Sequence, residues 1–116
     1  MSTAAAKPLV RFLDDLRQAG GLRGVDVANI AGVSRATASC WAKGQKTPNP
    51  PTQLVLSRLH YVVMCLREYY DPGEIRAWLY ARHPQLQGER AVNFIRGDRS
   101  HEVLAILDRL DAEVYL

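Results

Sequence analysis

The sequence predicts an all-α protein of about seven helices, arranged as two lobes that cover residues 1–50 and 51–116 and share one core. Three observations lead to this prediction. Apolar residues recur at helical spacings of three and four, helix-capping residues precede several of these segments, and no segment shows the alternating β-branched pattern of a strand. A chain of 116 residues with 47% hydrophobic residues is large enough to bury one compact core.

The first predicted helix covers residues 8–19 and has a single apolar stripe. Pro8 is acceptable in the first turn of a helix, and the pair Gly20-Gly21 ends it. The residues of the stripe are Leu9, Phe12, Leu13 and Leu16.

Two short helices with a glycine between them follow. We expect the first over residues 26–31 and the second from Ser34 to Lys43, with Gly32 in the turn. Ser34 is a suitable N-cap, and Gly44 can adopt the left-handed conformation that commonly ends a helix.

This arrangement is typical of a helix-turn-helix, in which small and apolar residues hold the two helices together. The residues expected to face inward are Val27, Ala28, Ala31, Val33, Ala38 and Trp41. The outward-facing residues, which are the candidate DNA-binding residues, are Ser34, Arg35, Thr37, Ser39, Lys43 and Lys46. Hydroxyls and cations suit phosphates and base edges, and Arg35 suits a guanine. The alternative is a helical hairpin that only packs, with Ser34 as its cap.

A proline-rich connector, QKTPNPP, separates the two lobes because its prolines prevent a helix from continuing. A long helix is then predicted up to Tyr70, beginning at about Pro51. Its apolar seam either forms the core or pairs with a second copy of the chain, and the core is the better interpretation for one helix of this length. The seam consists of Val55, Leu59, Val62, Leu66 and Tyr69.

The second lobe continues with a clear helix start in the segment DPGEI. Asp71 is the N-cap, Pro72 takes the first helical position, and Glu74 completes a capping box. The segment ARHPQLQGER is predicted to be a loop, and RAVNFI a short helix that ends at Gly97. A last helix, capped by Asp98 or Ser100, turns three apolar residues toward the core. These are Val103, Leu107 and Leu110.

Positive charge is concentrated in the first part of the chain. The net charge is +3 overall, of which residues 1–51 contribute +4 and residues 52–116 contribute −1. No acidic residue occurs between residues 31 and 66. Such a stretch suits a polyanion or an acidic protein surface, or is a solvated helix face with few charges.

Several function classes lack their sequence signals. Cys40 and Cys65 stand alone, without other ligands at metal-binding spacing, so we expect no metal and no cofactor. No acid, base and nucleophile can be grouped from the sequence, so an enzyme is not expected. No export signal or membrane-spanning segment is recognisable, which predicts a cytoplasmic protein without a membrane partner.

Two segments carry a family resemblance. SRATASCWAKGQKTP resembles the helix-turn-helix of Xre-type regulators, and the segment from AWLYARHPQLQGER to the end resembles the toxin-binding domain of the Xre/MbcA/ParS antitoxins. The positions that fill the family pattern are Trp78, Pro84, Leu86, Gly88, Gly97, Val103, Leu107, Leu110 and Tyr115. The sequence departs from the pattern at His83, where Asn is usual, and at Ala91, where Pro is frequent.

The resemblance implies an antitoxin of a type II toxin–antitoxin pair whose partner is a RES-domain toxin that destroys NAD. It also implies repression of the shared operon. Because the outward face of the second short helix offers one arginine and little else, we expect operator DNA to be bound by a homodimer, a larger assembly or the toxin–antitoxin complex. The residues expected to bind toxin are Trp78, Arg109, Glu113, Val114, Tyr115 and Leu116. The apolar chain end with its acidic neighbours suits a basic dinucleotide cleft. Two alternatives remain, a chain end that only covers the core and a stand-alone regulator whose second lobe serves oligomerisation.

Overall fold

The computed structural model describes the backbone of residues 3–114 and the side chains of residues 8–110 and 112. The described part contains seven α-helices, one 3₁₀ turn and one very short hairpin, which confirms the predicted fold class. In chain order these are α1 (Thr3–Gly20), α2 (Gly24–Ala31), α3 (Arg35–Ala42), α4 (Pro50–Leu66), α5 (Pro72–Tyr80), β1 (Arg82–His83), the 3₁₀ turn (Pro84–Leu86), β2 (Glu89–Arg90), α6 (Ala91–Arg96) and α7 (Ser100–Val114).

Helix α4 is central to the hydrophobic core, because it packs against α1 from the first half of the chain and against α6 and α7 from the second. Leu59, Val62 and Leu66 are completely buried, and Val55 and Tyr69 are half-buried. The seam predicted from the sequence therefore faces the core of this chain. One cluster of buried residues includes side chains from α1 through α7.

Helix α1 is longer than predicted. It begins at Thr3 instead of residue 8, and Pro8 lies inside it. The added segment contains three consecutive alanines, and alanine has the highest intrinsic helix propensity. The helix ends at Gly20 as predicted, and Gly21 adopts a positive φ of 64°.

Helix α4 ends earlier than predicted, at Leu66 instead of Tyr70. Turns follow, in which the backbone N–H groups of Tyr69 and Tyr70 donate to the Leu66 carbonyl at 2.9 and 3.0 Å. Asp71 is then extended, with φ −80° and ψ 170°, as expected of a residue that precedes Pro72 and caps α5. The chain must therefore leave the helical conformation before residue 71. The capping box of α5 is present as predicted, since the Asp71 side chain accepts a hydrogen bond from the backbone N–H of Glu74 (2.8 Å) and the Glu74 side chain accepts one from that of Asp71 (2.9 Å).

The segment predicted to be a loop contains a two-stranded antiparallel hairpin. Its register pairs Arg82 with Arg90 and His83 with Glu89. Two residues per strand are too few to show an alternating pattern, so the sequence carried no strand signal. The chain reverses through Gln87 and Gly88, both of which have a positive φ.

The start of the last helix also differs from the prediction. Helix α7 begins at Ser100, so Arg99 is the residue directly before it, instead of one of the two predicted caps. Asp98 adopts a left-handed conformation (φ 62°), and its carboxylate pairs with the guanidinium of Arg58 on α4 at 2.6 Å. This ion pair joins the start of α7 to the central helix.

None of the helices in the described part is long and apolar enough to cross a membrane.

Candidate functional site

Helices α2 and α3 meet at a tight turn, as the sequence predicts. Gly32 is left-handed with φ 74°, and the backbone N–H of Val33 donates to the carbonyl of Ala28 at 2.9 Å. The Ser34 hydroxyl accepts a hydrogen bond from the backbone N–H of Thr37 at 3.1 Å, which caps α3. The turn and the cap predicted for residues 32–34 are therefore confirmed.

The inward face of this helix pair is packed. Val27, Ala28, Ala38 and Trp41 are each less than 5% exposed, and Ala31 and Val33 are half-buried against the same core. These contacts fix the angle between α2 and α3, because small residues on one helix let the other approach closely. The orientation of α3 is therefore set by the fold.

The outward face of α3 is polar and basic. Five of the six candidate DNA-binding residues are exposed, namely Ser34, Arg35, Ser39, Lys43 and Lys46. Arg35, Ser39 and Lys43 follow each other at a spacing of four, which places them in one strip along the helix. Thr37 is half-buried, and its hydroxyl lies 2.9 Å from that of Ser34. Thr37 is therefore engaged in the cap and lies apart from the strip.

The acidic residues described between positions 8 and 51 all have partners. Asp14 pairs with Arg17 at 2.9 Å, Asp15 with His60 at 2.9 Å, and Asp26 is buried. Five cations of the same region make no ion pair with another described residue: Arg11, Arg23, Arg35, Lys43 and Lys46. The unpaired charge on this part of the surface is thus positive.

Asp26 joins α2 to α5 through a buried polar cluster that is not predicted from the sequence. It is 2% exposed and accepts hydrogen bonds from the backbone N–H of Arg23 (2.9 Å), from Arg76 Nη2 (3.0 Å) and from the Tyr80 hydroxyl (2.9 Å). Burial opposes ionisation of Asp26, yet these hydrogen bonds and the positive charge of Arg76 outweigh it and lower its pKa. Burial and the hydrogen bond to Asp26 raise the pKa of Tyr80 to about 12.

The sequence contains a signal for only part of this cluster. Asp26 stands three residues after Arg23, where a carboxylate commonly accepts from the backbone at a helix start. Arg76 lies 50 residues further along the chain, and no local pattern connects them. His60 is a similar case, because its partners Asp15 and Phe12 are on α1. The rings of His60 and Phe12 stack with centroids 4.1 Å apart.

Trp78 on α5 is half-buried, and His83 of β1 lies beside it. The two ring centroids are 4.5 Å apart, and His83 Nε2 donates to the carbonyl oxygen of Trp78 at 2.8 Å. His83 therefore satisfies a carbonyl in the last turn of α5, and it does so at the position where the family pattern has Asn.

Helix α7 continues beyond the core. Leu107 is the last buried residue among the described side chains, Leu110 is half-buried, and Arg109 is exposed. From Leu107 to the helix end at Val114 the axis advances about 10 Å. Of the residues predicted to bind toxin, the side chains of Glu113 and Val114 and the whole of Tyr115 and Leu116 lie outside the described residues.

Metal ligands are not gathered anywhere in the part of the chain that the structure describes. No group of three or more His, Cys, Asp or Glu side chains there could hold an ion. Cys40 and Cys65 are half-buried thiols on α3 and α4.

Comparisons with known proteins agree with this architecture. No protein-family model matches the chain. The mycobacterial cidal antitoxin MbcA of Mycobacterium tuberculosis, like that of Mycobacterium bovis, is 24% identical over 96 residues, which are 83% of this chain and 85% of the relative. The crystal structure of the M. tuberculosis MbcT–MbcA toxin–antitoxin complex contains a chain of the same fold, with a TM-score of 0.79 and 22% identity. The match covers 93% of this chain and 97% of that chain.

A second relative is more similar in sequence. The probable mycobacterial cidal antitoxin Rv3188 of M. tuberculosis is 30% identical over 83 residues, which are 72% of this chain and 70% of the relative. Together with the shared fold, this similarity shows that the chain belongs to the family of the mycobacterial cidal antitoxins.

Proposed function

We propose that this protein is a non-enzymatic antitoxin that binds a RES-domain, NAD-degrading toxin and blocks its active site. The observation that carries the proposal is family membership, since the relatives are antitoxins. The structural neighbour comes from a complex of such an antitoxin with its toxin. The RES type of the toxin rests on the resemblance of the second half of the chain to the toxin-binding domain of Xre/MbcA/ParS antitoxins.

The proposed inhibitory element is the end of α7 and the residues that follow it. The helix axis extends about 10 Å past Leu107, and the described side chains of Asp108, Arg109 and Ala112 in this segment are exposed. The sequence there combines the acidic residues Asp108, Asp111 and Glu113 with apolar residues at positions 114–116. A cleft that binds the phosphates of NAD is basic and attracts such a segment. Arg109, which is exposed, and the accessible part of Trp78 complete the proposed toxin-binding surface.

The proposed second role is repression of the antitoxin's own operon through α3. The strip formed by Arg35, Ser39 and Lys43 is exposed and basic, and the packed inward face gives it a fixed orientation. A major groove accommodates an α-helix, and a helix N-terminus with an arginine can reach base edges. One copy offers few contacts, so a dimer or a toxin-bound assembly is the proposed DNA-binding form.

The test is whether this protein inhibits the product of the gene beside its own, which we expect to be a RES-domain toxin. Co-expression should give a stable complex, and the purified complex should leave NAD intact where the free toxin consumes it. A variant that lacks residues 113–116 should keep its helical circular dichroism and lose most of the inhibition, because the deleted residues are the proposed contacts with the toxin active site.

Arg35→Ala serves as the matched control, since Arg35 lies on the proposed DNA-binding face and should leave inhibition unchanged. Full inhibition by the shortened chain would disprove active-site occlusion by the chain end, although the antitoxin role would stand. Failure of the full-length chain to bind or inhibit the toxin would disprove the antitoxin role itself.

A further inference from the structure

A groove of about 400 Å³ opens between α1, the start of α2 and α3. Three arginines line it, with Arg11 and Arg17 on α1 and Arg23 directly before α2. On α3 the groove is lined by Ala38, which is buried, and by Ala42, which is exposed. A basic groove therefore runs along one side of the helix-turn-helix.

Two of the three arginines make no ion pair with another described residue, although the carboxylate of Asp14 also lines the groove. Arg11 and Arg23 are exposed, and neither guanidinium makes an ion pair or a hydrogen bond with another described residue. Arg17 differs, because its Nη2 lies 2.9 Å from the carboxylate of Asp14, which also accepts from Gln18. The donors of Arg11 and Arg23 are thus available to an anion.

The groove is continuous with the outward strip of α3. Ala42 lies seven residues after Arg35, which is close to two helical turns, so both residues are on the same side of the helix. Ser39 is between them on that side and is exposed. A ligand long enough to contact Arg35 and Ser39 and to pass over Ala42 therefore reaches the groove that the three arginines line.

We propose that Arg11 and Arg23 bind the phosphate backbone of duplex DNA and thereby orient α3 in the major groove of the DNA. This inference rests on the proposed DNA binding and deepens it by naming the phosphate contacts. A guanidinium binds phosphate with two parallel hydrogen bonds, and the start of α2 at Gly24 adds partial positive charge beside Arg23. Contacts of this kind position a protein on DNA without reading sequence.

The two arginines add the phosphate contacts that α3 lacks. On its own, α3 offers one arginine and a few hydroxyls, too little for strong binding by one copy. Two further cations per copy raise the number of neutralised phosphates, which is the main determinant of affinity and of its dependence on salt.

The experiment compares the wild type with the double variant Arg11→Ala/Arg23→Ala on two duplexes, each titrated at several salt concentrations. One duplex carries the region upstream of the protein's own gene, and the other is an unrelated sequence of the same length. We expect the double variant to lose about tenfold in affinity for both duplexes at the lowest salt concentration. The magnitude of the slope of log affinity against log salt should fall by about 2 for each bound copy, and thus by about 4 for a dimer, since each phosphate contact contributes about 0.9.

Two control variants isolate the charge. Arg11→Lys/Arg23→Lys keeps both positive charges and should retain most of the wild-type salt dependence. Arg67→Ala removes an exposed arginine that does not line the groove, and it should retain all of the wild-type salt dependence. Thermal unfolding and toxin inhibition should be the same in every variant, because these side chains are exposed and none of them belongs to the proposed toxin-binding residues.

A double variant that binds DNA with the wild-type slope would overturn the inference and leave the proposed repressor role intact. Loss of toxin inhibition with an unchanged slope would also overturn the inference, and it would show that the groove binds an acidic protein surface instead of DNA. Wild-type protein that binds neither duplex, alone or with the toxin, would overturn both the repressor role and this inference.

Discussion

The carboxylate of Asp26 is the residue on which the junction between α2 and α5 depends. We predict that Asp26→Asn lowers the free energy of unfolding by about 2 kcal/mol, because it weakens the charge-assisted hydrogen bonds to Arg76 and Tyr80. The Arg76 side chain is 41% exposed, so water compensates for part of the loss. Urea denaturation measures the change. Asp14→Asn, at an exposed carboxylate, is the matched control and should change stability by less than about 0.5 kcal/mol.

The same residue predicts a dependence of stability on pH. The folded state lowers the pKa of Asp26 below its usual value near 3.8, so the folded protein holds the ionised form more strongly than the unfolded chain does. This stabilisation is present above the unfolded pKa and is lost as the pH falls through the folded pKa. The stability difference between wild type and Asp26→Asn should therefore shrink below about pH 4. A difference that stays constant down to pH 2 would contradict this account.

Arg35 is the residue whose proposed role is most specific. If it donates two hydrogen bonds to a guanine, Arg35→Ala should weaken binding to the upstream duplex by about 1–3 kcal/mol and weaken binding to an unrelated duplex much less. Gel-shift or anisotropy titrations at one stated salt concentration measure both affinities. Equal losses on the two duplexes would show that Arg35 contacts phosphate instead of a base. No loss on either duplex would show that α3 only packs against the fold.

At the scale of the elements, the end of α1 depends on a glycine for two reasons. Gly21 has φ 64°, and a Cβ atom there would lie 2.7 Å from the carbonyl oxygen of Pro72. We predict that Gly21→Ala lowers the free energy of unfolding by about 2–3 kcal/mol, since backbone strain and a steric clash with the start of α5 add together.

Gly24 provides the matched control for this prediction. It opens α2, has no positive φ, and a Cβ atom there would meet nothing within 4 Å. Gly24→Ala should leave stability unchanged or raise it by up to about 1 kcal/mol, because alanine loses less conformational entropy on folding. The prediction fails if the two variants have the same urea midpoint.

Helix ends also show how far local sequence determines an element. The start of α5 was predicted residue by residue, because Asp71, Pro72 and Glu74 satisfy the first turn without help from elsewhere. The end of α4 was predicted four residues too late. Apolar spacing continues to Tyr69 although the helix ends at Leu66, because the chain continues in hydrogen-bonded turns that keep Tyr69 half-buried.

At the scale of the whole molecule, the buried core is shared by both halves of the chain. Residues from α1 through α7 belong to one cluster, and α4 contacts helices from both sides of the proline-rich connector. The division at residue 50 stays a prediction, and we now propose it as a division of function, with DNA binding before it and toxin binding after it.

The shared core predicts that the protein unfolds in one cooperative transition. The chain has two tryptophans, Trp41 in the first half and Trp78 in the second. Trp41→Phe and Trp78→Phe each leave one tryptophan as a local probe. Within each variant, the midpoint of tryptophan fluorescence should coincide with that of far-UV circular dichroism. Two separate transitions in either variant would show that the halves unfold independently.

The sequence by itself determined the features that neighbouring residues decide. Caps, glycine turns and helical periodicity depend on residues within about four positions of each other, so the seven helices, the turn at Gly32 and the core-facing seam of α4 could be derived from it. The tertiary structure alone decided the contacts between distant residues. It joined Asp26 to Arg76 and Tyr80, paired Asp15 with His60, and placed Arg11 and Arg23 beside α3. Such contacts depend on how the helices pack around α4, and no local pattern encodes that packing.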